Sequence, residues 1–387
     1  MWRSAWFRVG IVLVCAQPLS GCECRGETVT GASAPSATLD HPTEPVAVDA
    51  RGCADAVDAL PRPMHRGVCY AHNYQDQGRR GYGSDTSRRS LDELQTLGVN
   101  WVSVTPFGFM SSAHSTEVRS IGSMRAGETD ARVIAELAAA RERGLSVLLK
   151  PHIWIRGGAY RGHIDPGSES AWTTWFESYE RWLMHYAELA ATHDVPILSV
   201  GVELASTSAR FESRWRALLA RIRSVYSGEL VYAANWDEAA QVSFWDAVDY
   251  VGVQFYPPLA DDRGASEPSM RARLDTHLDG LAELSERVDR PVLFTEVGYK
   301  STADTAVHPH AWLERLDTPP EVDVQAQARC YRVFLGAVAE RPWVRGVYFW
   351  KWFTDPSTNE EGPAGFSPRG KPAEAVLRAA FSEACHD

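Results

Sequence analysis

The sequence predicts an α/β fold: a single (β/α)8 TIM barrel preceded by a signal peptide and a flexible tether. Three observations predict it. Eight short, apolar, β-rich runs recur from about residue 64 onward. Segments with helical spacing lie between them, the alternation that pairs strands in parallel and covers both faces of a sheet. Polar and aromatic residues collect where the runs end, on the face where such barrels carry their chemistry. An open doubly wound sheet would show a Gly-rich phosphate turn after its first strand, and "YAHNYQDQG" is not one.

Residues 1–21 have the layout of an export signal: Arg3 and Arg8, the apolar core "VGIVLVCA" (9–16), then "LSGC" (19–22). The core is too short to span a bilayer. "LSGC" resembles the lipobox of bacterial lipoproteins. That resemblance implies cleavage before Cys22, lipid on Cys22, and an exported chain anchored to a bacterial membrane. Residues 22–63, rich in Gly, Ala, Ser, Thr and Pro, read as a linker; about forty such residues reach roughly 35 Å. Cys24, Cys53, Cys69, Cys330 and Cys385 then remain. An exported compartment permits disulfides among them, with the pairing open.

Residues 64–387 supply the barrel. Its runs are "HRGVCYAHNY" (65–74), "NWVSVTPFGF" (100–109), "LSVLLKPHIWI" (145–155) and "PILSVGVEL" (196–204). The second half supplies "ELVYAANW" (229–236), "DYVGVQFYPP" (249–258), "PVLFTEVGY" (291–299) and "VRGVYFWKW" (344–352). Helices are expected at 86–98 and 129–144, each closed by a glycine, and at 170–193.

The composition, 44% hydrophobic and 23% charged, is that of a globular chain. A net charge of −11 without any Lys/Arg run excludes a nucleic-acid surface. The 14 tryptophans exceed what the core needs, so some should line a groove. No CxxC or HExxH spacing points to a metal, the HxH in "HPH" (308–310) is a loop pair, and no G-x-S-x-G elbow is present. No cofactor is expected, and the chain is expected to act as a monomer.

At the strand ends, Glu203 closes the fourth run and Glu296 the seventh, so their tips face across the mouth. Two carboxylates so placed suit glycosidic hydrolysis, one protonated to donate to the leaving oxygen and one ionised. A separation of about 5–5.5 Å would mean retention and roughly 6.5–9.5 Å inversion. Asn73, His152, Trp154, Asn235, Trp236, Gln254, Tyr256 and Trp350 are the candidate substrate contacts, with His72 beside them. Trp154, Trp236 and Trp350 are the expected sugar platforms, and Asn235 a hydrogen-bond donor. Trp101, Trp172, Trp175, Trp182 and Trp215 are expected to pack in the interior. Lys150, deeper in its strand, is expected to pair with a buried carboxylate; Lys300 is a possible structural partner for Glu296. Alternation along the strands puts Ile197, Ser199 and Gly201 on the face of Glu203, and Val292 and Phe294 on that of Glu296. By the same rule Gly346 and Tyr348 accompany Trp350, and Lys150 accompanies His152 and Trp154.

Carboxylates at the ends of strands four and seven resemble the pattern of the clan A glycoside hydrolases, which retain configuration. Within that clan, "LLKPHIWI", "GVEL", "FTEVGY" and "FWKWFTD…GFSPRGKPAEAVL" are similar to glycoside hydrolase family 113, the β-mannanase-like barrels, over about residues 64–381. The resemblance implies Glu203 as general acid/base, Glu296 as nucleophile, and Tyr256 as the residue holding the nucleophile. It also implies a β-mannosidic poly- or oligosaccharide substrate. One departure stands out: many clan members carry Asn before the acid/base, where it binds the sugar 2-hydroxyl, and this chain has Val202. Two other readings stay open, a non-catalytic carbohydrate-binding lipoprotein and a retaining hydrolase of another β-glycan, such as glucan, xylan or an envelope amino sugar.

Overall fold

The computed structural model describes residues 59–61, 63–120, 127–311, 319–357 and 361–382. The signal segment, Cys22 and nearly all of the tether lie outside the described residues. Leu60 is buried and its N–H donates to the Ala380 carbonyl at 2.9 Å, so the packed chain begins before residue 64.

The elements in chain order are β1 (His65–Ala71), α1 (Asp85–Thr96), β2 (Trp101–Val104), β3 (Phe107–Met110), β4 (Arg119–Ser120) and α2 (Asp130–Glu142). Then come β5 (Ser146–Leu149), β6 (His152–Ile155), α3 (Glu169–Thr192), β7 (Ile197–Val202), the single turn α4 (Ala205–Ser208) and α5 (Glu212–Val225). The last third holds β8 (Glu229–Asn235), β9 (Tyr250–Phe255), α6 (Glu267–Val288), β10 (Val292–Val297), α7 (Val324–Ala339), β11 (Val344–Phe353) and α8 (Pro372–Phe381). The strands β1, β2, β5, β7, β8, β9, β10 and β11 close into a barrel in that order, with β11 returning to β1. Each of the eight predicted runs contains a barrel strand, so the expected (β/α)8 barrel is observed.

The three predicted helices also form. Ser84, Thr129 and Ser168 accept from backbone N–H groups in the first turns of α1, α2 and α3. Gly98 and Gly144 follow α1 and α2 at φ +87° and +69°, a conformation in which a Cβ would be strained.

Two prolines shape the mouth. Pro106 and Pro151 lack the N–H that would continue the barrel ladder. After them β3 and β6 leave the barrel and pair with each other and with β4 in a small separate sheet. The second and third predicted runs are therefore each two strands, and His152 and Trp154 ride on the departing one.

Inside the barrel lie Cys69, Leu148, Ile197, Val231, Tyr250, Leu293 and Tyr348, with Trp101 and Trp350 against them. Strict alternation fails at both catalytic candidates. The β10–β9 register shifts between Phe294 and Glu296. Val292 and Phe294 face the helices instead, Phe294 with its ring 5.4 Å from Phe334 of α7. The extra residue, Thr295, lets Glu296 turn inward although Phe294 points out. A second shift, between Ser199 and Gly201, turns Gly201 outward, where an added Cβ would sit 2.9 Å from Trp215 of α5. Trp172, Trp175, Trp182 and Trp215 are buried packing residues, and Trp101 stacks on His65 with centroids 4.0 Å apart.

Candidate active site

Glu296 ends the apolar part of β10 with its side chain 7% exposed. Such a carboxylate requires partners, and two donors meet it. Lys150, itself wholly buried, places Nζ 2.7 Å from Oε1. The Tyr256 hydroxyl donates to Oε2 at 3.1 Å. Lys150 spends its other donors on the Thr295 carbonyl at 2.9 Å and Gln254 Oε1 at 3.3 Å. It thus pins the bulge residue that aims Glu296 as well as Glu296 itself. The expected pairing of Lys150 with a buried carboxylate is observed. Lys300 instead donates to the carbonyls of His308 and Ala311.

Glu203 stands one residue past β7 at φ +51°, a left-handed conformation that non-glycine residues seldom adopt. Neighbouring β8 holds the turn: Glu203 N–H donates to the Ala233 carbonyl at 2.8 Å, and Leu204 N–H to the Tyr232 hydroxyl at 3.0 Å. Tyr232 donates in turn to Glu238, which also receives Ser208 and the Asn235 N–H. Nothing in the sequence pattern singled out Glu238. Burial pushes the Glu203 carboxyl above the usual carboxylate range. Arg161, whose Nη1 lies 3.6 Å from Oε2, opposes that rise, the Glu296 charge adds to it, and Gln254 and Lys150 draw it down.

His152 is buried between Phe107, at 5.3 Å edge-on, and Trp350, at 6.5 Å and nearly parallel. Its Nδ1 is 3.2 Å from Arg161 Nη1, and its Nε2 is 3.6 Å from Glu296 Oε1. Burial, then the charges of Lys150 and Arg161, holds the imidazole well below its ordinary value, which favours the neutral ring. Arg161 was not legible in the sequence; it opens a single 3-10 turn, Arg161–His163, after β6.

The remaining candidates divide. Gln254 is buried and engaged by Lys150. Trp350 is partly exposed over the barrel interior, and Trp154 is 42% exposed. Trp236 is half-buried and edge-on to His277 of α6. Asn235 uses Oδ1 to accept the Trp236 N–H at 3.0 Å, which leaves its amide donors for a ligand. Asn73 is buried, donating to Asp355 at 3.1 Å and accepting from Gln75 N–H at 2.7 Å. His72, also buried, accepts the Tyr82 N–H at 3.0 Å. Among the described residues, no group of three or more His, Cys, Asp or Glu side chains could hold a metal ion. Cys69 and Cys330 are buried free thiols; the other cysteines lie outside the described residues.

Two carboxylates thus face one mouth, Glu296 buried beside a buried ammonium and Glu203 partly exposed and kept prone to hold a proton. Comparison with known proteins agrees with that chemistry. The family model described as Glycoside Hydrolase Family 113 matches residues 72–371. A solved structure of a GH113 β-1,4-mannanase in complex is 28% identical, covering 83% of this chain and 99% of its own, with a TM-score of 0.72. The GH113 β-mannanase AaManA from Alicyclobacillus acidocaldarius, in complex with ManMIm, is 27% identical over 82% of this chain and 97% of its own, TM-score 0.71. A β-glucuronidase of Faecalibacterium prausnitzii, 16% identical over 82% of this chain and 48% of its own, TM-score 0.57, shares the fold alone. No curated protein sequence matches significantly. The chain belongs to glycoside hydrolase family 113 and is a β-glycoside hydrolase acting on a poly- or oligosaccharide.

Proposed function

We propose that the protein is a retaining β-glycosidase of β-mannosidic poly- or oligosaccharides, working through Glu203 and Glu296. The observation that carries this reading is the opposite setting of the two carboxylates. Glu203, raised by burial, is suited to carry a proton. Glu296, between the Lys150 ammonium and the Tyr256 hydroxyl, is suited to act as an anion.

In the first step Glu203 gives its proton to the glycosidic oxygen while Glu296 attacks the anomeric carbon. The C–O bond to the leaving sugar breaks and a glycosyl ester forms. In the second step Glu203, now a carboxylate, takes a proton from water as that water attacks the same carbon, and Glu296 departs. Lys150 stabilises the charge that returns to Glu296. Trp154 and Trp350 offer flat apolar faces for sugar rings.

The mannosidic assignment is supported by the two GH113 mannanases and is tested by offering the full chain mannan, glucomannan, xylan, β-glucan and chitin oligosaccharides. Mannooligosaccharide products that disappear in both Glu203→Ala and Glu296→Ala are expected. Cleavage of another glycan in preference would overturn the sugar and keep the chemistry. Export and lipid anchoring at Cys22 rest on "LSGC" and belong to the same proposal, with the chain as a monomer. Palmitate labelling lost in Cys22→Ala is the expected result.

A further inference from the structure

His152 Nε2 is a buried polar atom that meets no hydrogen-bond partner among the described residues. It points toward the nucleophile candidate, 3.6 Å from Glu296 Oε1, too far for a direct bond and near enough for one hydroxyl to bridge the two. What decides whether Nε2 carries a proton lies on the other side of the ring. Arg161 Nη1 is 3.2 Å from Nδ1, and a guanidinium can only donate, so Nδ1 must accept and Nε2 must hold the hydrogen. The same Nη1 lies 3.6 Å from Glu203 Oε2, and the arginine side chain is only 12% exposed. The residue before Glu203 is Val202, which offers no side-chain hydrogen bond.

We propose that Arg161 is a positioning residue: held between His152 and Glu203, it fixes His152 as the Nε2–H tautomer and so aims a donor, with Glu296, at one hydroxyl of the bound sugar. The proposal rests on the glycosidase reading above. The hydroxyl is the one on the carbon next to the anomeric carbon, because Glu296 must reach the anomeric carbon and its second oxygen then lies beside that neighbour. His152 thereby supplies the donor that Val202 does not. Phe107 and Trp350 hold the imidazole plane, and Lys150, Glu203, Glu296 and Arg161 are the charged groups around it.

The test needs no turnover. In the full chain carrying nitrogen-15 histidine, the His152 resonances, identified by their loss in His152→Gln, should report a neutral ring protonated at Nε2 from about pH 5 to pH 8. In Arg161→Met they should move to a mixture with the Nδ1–H form or begin to titrate, and Arg161→Lys should restore them. A wild-type ring that is protonated at Nδ1, or that titrates across this range, overturns the proposal. So does an Arg161→Met spectrum identical to wild type. If Arg161→Met does not fold, Arg161→Gln is read instead. Kinetics supply a second readout. His152→Leu and Arg161→Met should each lose about 10- to 100-fold more in kcat/KM on the parent glycoside than on its 2-deoxy analogue. Equal losses on the two substrates would overturn the shared role. Absence of any glycoside turnover in wild type would sink the parent reading alone, since the tautomer is read without it.

Discussion

The two halves of the mouth hold the same functional group in opposite ways. On the β10 side, a register shift turns Glu296 into the barrel, and Lys150 ties carboxylate, bulge carbonyl and Gln254 into one tripod. On the β7 side, a left-handed backbone carries Glu203 out of the strand, and the cation near it is a longer-range arginine at 3.6 Å. One glutamate is fixed by direct ion pairing, the other by the shape of its turn and by burial. The difference teaches that acid and nucleophile need not differ in residue type. Position along two bulged strands suffices to give the two carboxylates different partners.

The largest effect should come from removing the group with the firmest partners. Glu296→Ala should lower turnover by about 10⁴-fold or more, and azide should restore activity with inverted product configuration. Glu203→Ala should cost roughly 10²- to 10⁴-fold, and much less on an aryl glycoside whose leaving group needs no proton. If both variants lost the same factor on both substrates, the proposed division of labour would be wrong. Lys150→Met isolates the tripod: breaking a buried pair costs about 3–5 kcal/mol of stability, visible as a lowered thermal midpoint together with lost turnover.

Protonation sharpens the comparison further. Because burial raises the Glu203 carboxyl above its unfolded value, its contribution to stability is present at acid pH and is lost as pH rises through the folded value. Glu203→Gln should therefore raise the thermal midpoint at neutral and alkaline pH and leave it unchanged near pH 3. The alkaline limb of wild-type kcat/KM should also lie above the ordinary carboxylate range. An opposite sign in either measurement would remove Glu203 as the acid. The smallest effect is expected at the rim. Trp154→Ala should change stability by no more than about 0.5 kcal/mol and raise KM on polymer more than on short oligosaccharides.

Much of this was legible in the chain itself. The strands were readable because barrel strands buried on both faces leave continuous apolar runs, and the ends of those runs named Glu203, Glu296 and Tyr256. Period-two alternation then misplaced Val292, Phe294 and Gly201, because a bulge inserts a residue that no local pattern announces. The departure of β3 and β6 was written in Pro106 and Pro151 but not read as a break. The hydrogen bond from Asn73 to Asp355 could not be read from the chain, because the two lie 282 residues apart. Arg161 and Glu238 escaped because they lie in turns beyond the strand ends, where no periodic pattern marks a partner.

The most direct test of the account is to trap the intermediate. Incubating the full chain with an activated 2-deoxy-2-fluoro-β-mannoside and mapping peptides by mass should find a glycosyl ester on Glu296, absent in Glu296→Ala. An ester on Glu203 or on any other residue, or steady hydrolysis of the reagent with no ester at all, would contradict the account.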